Sequence, residues 1–133
     1  MSPPKVWIVV GLFDEVSSVS TVGIIDLGVG VVASVKKKTD LIQKLKDLIL
    51  ASKSTDVIEA AIEGLRTESG ERKHGKGLST LKDFVNREAN RRLTVLSSGG
   101  LVRSERTGIS KQALPEFLGT IVVLEIGKIS NPV

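Results

Sequence analysis

The spacing of the apolar residues changes twice along this chain, and those two changes restrict its possible folds more than any single motif does. Up to residue 26 the apolar positions form short β-branched blocks, residues 5–13 (KVWIVVGLF) and 20–26 (STVGIID). The polar turn Asp14-Glu15-Val16-Ser17-Ser18 separates them. Such blocks predict two strands paired antiparallel, and the first, apolar on both alternating faces, reads as a covered strand. From residue 40 the spacing becomes helical. Leu41, Ile42, Leu45, Leu48 and Ile49 predict a helix over 40–51, with Thr39 or Asp40 as N-cap. Val57, Ile58, Ala61, Ile62 and Leu65 predict another over 55–66, capped by Ser54 or Thr55. A third, over 77–88, has Leu78, Leu81, Phe84 and Val85 on its inner face. Strand spacing then returns at 92–96, 101–102 and 119–126, with the polar stretch 103–115 expected as a mobile loop. The order β-β-α-α-α-β-β-β predicts an α+β fold: a two-layer sandwich, its mixed and mostly antiparallel sheet carrying helices on one face.

Composition narrows the chemistry. At 133 residues the chain is one domain's length, long enough to build a core without staples. It has no cysteine, which excludes a disulfide framework, a thiolate metal site and a Cys nucleophile. Its one histidine, His74, excludes any site needing two imidazoles, and no Ser or Asp spacing makes it part of a triad. The uncharged run 16–25 is far too short for a membrane span, and no signal-peptide pattern opens the chain. A cytoplasmic protein with no membrane partner is expected. The net charge is +4, and segment 66–92, with eight Lys/Arg against four Asp/Glu, carries an equal excess. A basic cluster of this kind suits a solvated helix face, a nucleic-acid footprint or a phosphate site. With aromatics at only 3%, stacking platforms for single-stranded nucleic acid are disfavoured.

Three short features fall in a definite order. Asp26-Leu27-Gly28-Val29-Gly30 ends the second strand. Its glycines permit close backbone approach, and its carboxylate can accept a hydrogen bond from an amine such as adenine N6. A plain glycine turn with a capping Asp has the same residues. His74-Gly75-Lys76-Gly77-Leu78 leads a basic loop into a helix N-terminus, where free N–H groups and the helix dipole favour anions. A flexible loop with a glycine at the cap is the alternative. The spacing matches neither a Walker loop nor a dinucleotide fingerprint. Leu118-Gly119-Thr120 opens the last strand, where glycine allows close packing and Thr offers a hydroxyl.

Taken together, these motifs resemble the ATP-binding domain shared by gyrase, a heat-shock chaperone, histidine kinases and a mismatch-repair ATPase, the GHKL superfamily or Bergerat fold. Asp26-Leu27-Gly28-Val29-Gly30 is similar to that family's first glycine box. His74-Gly75-Lys76-Gly77-Leu78, followed by Leu81 and Val85, resembles its second box at the foot of a helix. Gly119-Thr120 with its apolar strand resembles the closing G-T element, and residues 92–100 resemble the run that precedes it. The likeness covers roughly residues 6–126. It implies a Bergerat-like sandwich that binds ATP or ADP, with Asp26 on the adenine and Gly28 and Gly30 shaping the pocket wall. Gly75, Gly77 and Leu78 would form the lid and the phosphate-facing helix end, and Thr120 would support the adenine site. It also implies a Mg²⁺-ligating Asn and a general base on an earlier helix. Asn86, Asn90 and Asn131 do not stand where that Asn belongs, and the box's usual Ile-Pro is replaced here by Val31-Val32.

The chain is therefore expected to be the C-terminal portion of a GHKL-type domain, in which Mg²⁺ is held only if an upstream segment supplies the ligand. No catalytic residue is assigned, and hydrolysis or phosphotransfer by this chain alone is not expected. The alternative is a degenerate, non-enzymatic interaction module that has lost nucleotide chemistry and uses exposed apolar surface for a protein partner or self-association.

Overall fold

The computed structural model describes residues 7–28, 53–63 and 76–127. Within them lie six strands: β1 (Trp7–Asp14), β2 (Val19–Asp26), β3 (Arg91–Ser97), β4 (Gly100–Glu105), β5 (Gly108–Ala113) and β6 (Thr120–Ile126). Two helices, α1 (Ser54–Glu63) and α2 (Lys76–Asn86), stand between β2 and β3. The strands form one sheet in the order β1-β2-β6-β3-β4-β5, and every neighbouring pair is antiparallel. This is an α+β arrangement, although no parallel pair occurs among the described strands. The expected helix over 40–51 lies outside the described residues.

Local chemistry explains the boundaries. The Asp14 carboxylate accepts N–H bonds from Val16 (2.9 Å) and Ser17 (3.4 Å) and closes the β1–β2 turn, with Ser18 at φ 54°. The Lys53 carbonyl accepts the first helical bond of α1, from Val57 at 3.1 Å, so Lys53 occupies the N-cap position rather than Ser54 or Thr55. Ser54 instead stands against the β3–β4 turn, where glycines are required. A Cβ on Gly99 would strike the Ser54 side chain, and one on Gly100 would crowd Thr55 and Ile58.

The core forms where the helix stripes meet the sheet. Val57, Ile58, Ala61 and Ile62 of α1 and Val85 of α2 are buried with Leu93 and Val95 of β3 and Val102 of β4. Leu78, Leu81 and Phe84 pack around them, as the helical spacing predicts. Ion pairs tie the periphery together: Lys82 with Glu63, and Lys111 with Glu59 and Asp56. The Lys111 ammonium is raised above its ordinary value of 10.5, chiefly by its bond to Glu59 and then by that to Asp56.

Two expectations are corrected. Residues 103–115 are not a mobile loop: β4 extends through Glu105, turns at Arg106-Thr107 and returns as β5. Apart from Ile109, β5 is polar or small: one of its faces meets the helices, and it stands at the edge of the described strands. Nor is β1 covered. Among the described strands it stands at the edge, and Ile8, Val9, Val10, Leu12 and Phe13 are all exposed, Val9 at 66% and Leu12 at 67%.

Candidate functional site

The register places one row of residues straight across the sheet. Trp7 pairs with Asp26, Asp26 with Thr120, Thr120 with Ser97, Ser97 with Gly100, and Gly100 with Ala113. Directly paired residues share a face, and the contacts of Gly100 with α1 identify this as the helix-bearing face. Asp26, Thr120 and Ser97 therefore form a polar row at one end of three adjacent strands. Thr120 is 5% exposed and Ser97 fully buried, and both hydroxyl residues are engaged. One pair further in on the same face, Ile24 pairs with Val122 and Val122 with Val95, so an apolar floor adjoins the polar row.

The Asp26 carboxylate is held by its own turn. Oδ1 accepts the Gly28 N–H at 2.9 Å, and an added Cβ on Gly28 would stand only 3.1 Å from that oxygen. Oδ1 is oriented by the backbone, and among the described residues no donor is seen on Oδ2, which can accept one. The neighbouring strand approaches very closely. Gly119 has φ 93°, and a Cβ there would overlap the Asp26 carbonyl oxygen. Only glycine fits, since the conformation disfavours side chains and the obstacle is backbone.

A short segment brings Gly119 to that point. After β5, the Leu114 N–H donates to the Gly99 carbonyl (3.1 Å) and the Gly99 N–H to the Pro115 carbonyl (3.4 Å). The Phe117 N–H donates to Ser98 Oγ at 3.2 Å. Residues 114–119 are thus fastened across the β3–β4 turn and enter β6 beside Asp26.

The helix starts face the same end of the sheet. α1 begins against Gly99. α2 passes through the four-residue connection 87–90 into β3, where Arg91 Nη1 donates to the Phe84 carbonyl (2.8 Å) and its guanidinium lies 3.9 Å over the Phe84 ring. So short a reversal makes α2 antiparallel to β3, and its N-terminus points toward the Ser97 end. Backbone N–H groups at Lys76 and Gly77 therefore lie at the Ser97 end of the sheet, over β3 and β4, where their partial positive charge favours anions.

The structure brings Asp26, Gly28 and Thr120 together at this end, with Gly77 at the start of α2. A Cβ on Gly77 would meet nothing within 4 Å, so packing does not demand glycine there. Leu78 packs against the core and anchors that first turn. Gly30 and Gly75 lie outside the described residues. Ser97 and Gly119 complete the site and were not among the residues assigned from sequence. Ser97 follows from the β3–β6 register, and the signal for Gly119 was its place in the Leu118-Gly119-Thr120 motif.

Other features of the surface contribute less. A shallow depression lined by Leu12, Phe13, Val16 and Glu125 surrounds the β1–β2 turn, at the far end of the strands from Asp26. Arg92 pairs with Glu105 (2.6 Å) and Glu125 (3.8 Å), so Arg92, Lys82 and Arg91 of the basic segment all have internal partners. Among the described residues no three His, Asp or Glu side chains gather as metal ligands would. No described helix is long and apolar enough to cross a membrane. No protein-family model matches the chain, and no curated protein matches it.

Proposed function

We propose that this chain is the adenine-nucleotide-binding portion of a histidine kinase-like ATPase domain, binding ATP or ADP at the Asp26 end of the sheet. The reading is carried by one observation: a backbone-oriented carboxylate stands beside a buried Thr on the next strand, at the end toward which a helix N-terminus points. Asp26 Oδ2 accepts the exocyclic amine of adenine, Thr120 supports the ring edge, and the Ile24–Val122 floor underlies the base. Backbone amides at the start of α2 face the phosphates. Mg²⁺ would neutralise phosphate charge when bound, its ligands coming from outside the described residues. These residues bind and orient the nucleotide; no bond-breaking step is assigned to them.

The test is a thermal-shift series with ADP, ATP and GTP on the parent and on Asp26→Asn. Asn keeps an oxygen for the Gly28 N–H but turns an NH₂ group toward the adenine amine, so two donors would meet. A ligand at about a hundred times its Kd stabilises by roughly 2.7 kcal/mol, or about 5–12 °C for a domain of this size. A shift with adenine nucleotides only, abolished in Asp26→Asn, is expected. An equal shift in the variant, or with GTP, overturns the assignment.

A further inference from the structure

We infer that the β1 edge is a self-association surface, on which a second copy of this chain adds antiparallel to β1 and joins the two sheets into one. The two edges of the sheet differ in kind. β5 carries Lys111, Ser110 and Gln112, with Pro115 just beyond it, and such residues protect an edge against added strands. Between Trp7 and Asp14, β1 has no charge, no proline and no break in its pairing with β2. Its apolar residues alternate onto both faces, Ile8, Val10 and Leu12 on one and Val9 and Phe13 on the other, and all five are exposed. A long apolar edge with no charge, proline or bulge to bar a neighbour is a template for an added strand.

The strand is also complementary to itself. Each residue of a strand points both its N–H and its C=O to the same side, so in a two-fold antiparallel pair outward residues meet outward residues. The two-fold must then pass through a residue, and the central candidates are Val10 and Gly11. Centring on Gly11 sets Asp14 opposite Ile8. Centring on Val10 pairs Ile8 with Leu12, Val9 with Gly11, Val10 with its own copy, and Trp7 with Phe13, leaving no charge within the paired stretch. The one charged residue of the strand agrees with this register: Asp14 of each copy falls at opposite ends of the paired stretch, so the two carboxylates are kept apart. α1 and α2 lie over β3, β4 and β5, at least three strands or roughly 14 Å from this edge, and do not obstruct it.

The experiment measures solution mass by sedimentation across a dilution series of the full chain without nucleotide, so its outcome is separate from that of the nucleotide site. The parent is expected to approach twice its 14.2 kDa and to dissociate on dilution. Val10→Lys, at a position already 44% exposed, is expected to remain at the single-chain mass with an unchanged circular dichroism spectrum, and Leu12→Lys provides the same test independently. Because the chain has no cysteine, Val10→Cys supplies a unique thiol. Self-paired residues across antiparallel strands have Cα atoms about 4.5–5.5 Å apart, within disulfide range. Mild oxidation should link Val10→Cys into a covalent dimer and leave Gln112→Cys, on the opposite edge, unlinked. A parent that is monomeric throughout overturns the inference. So does a dimer that survives both Lys variants, or a Gln112→Cys chain that links as readily as Val10→Cys.

Discussion

Replacing Gly119 by Ala tests the geometry on which the candidate site depends. Gly119 has φ 93°, a conformation that costs a side-chain-bearing residue about 1–3 kcal/mol. The added Cβ would overlap the Asp26 carbonyl oxygen, a backbone atom that no rotamer change can move aside. Relief requires the start of β6 to separate from the end of β2, where Thr120 pairs with Asp26. One or two backbone hydrogen bonds would be lost, at about 1 kcal/mol each. The sum is about 2–5 kcal/mol, a large share of the 5–15 kcal/mol that typically holds a domain together. Urea unfolding followed by circular dichroism at 25 °C reads this as a lower midpoint with an unchanged slope, and melting should fall by roughly 6–20 °C. A midpoint equal to the parent's would show that a side chain fits at position 119, and the close approach of β6 to Asp26 would then be wrong.

Gly77→Ala should act in the opposite direction, raising stability by about 0.5 kcal/mol. The site has open space, its φ is not positive, and Ala restricts the unfolded chain. A fall in nucleotide affinity in that more stable variant would place the phosphates at the start of α2. Ser104→Ala should be neutral or stabilising by about 1 kcal/mol in the same unfolding assay. The Ser104 hydroxyl is buried with no hydrogen-bond partner among the described residues, and its loss removes an uncompensated desolvation cost. Asp14 should titrate below its ordinary 3.8 by carbon-detected NMR, held down first by the Val16 N–H and then by Ser17. Because the folded value is the lower one, this group's contribution is complete above pH 3.8 and disappears as pH falls through the folded value. Asp14→Asn should flatten that part of the acid limb.

Periodicity read alone recovered most of the elements. The inner faces of α1 and α2 lie where the spacing of apolar residues puts them, because each helix buries a single stripe, and the two opening strands and β6 stand where the β-branched blocks fall. β5 was not legible: with Ile109 as its one large apolar residue it has too little contrast between faces to register as a strand. Its partner, β4, supplies the pairing. The N-cap of α1 shifted for a related reason, since Ser54 is taken up by the Gly99 turn, a contact between segments far apart in the chain.

The two most consequential features divide in the same way. The amino-acid order by itself determined that an Asp-Gly turn ends an early strand, that glycine and threonine open a late one, and that a basic, glycine-bearing loop precedes a helix. Those are local properties of the chain. That β6 inserts between β2 and β3, setting Thr120 between Asp26 and Ser97, was decided only by long-range strand pairing. The same pairing left β1 at the border. Its sequence records that both its faces are apolar but cannot record which neighbours it has. Hydrophobic pattern is written residue by residue, whereas adjacency in a sheet is a property of the assembled whole.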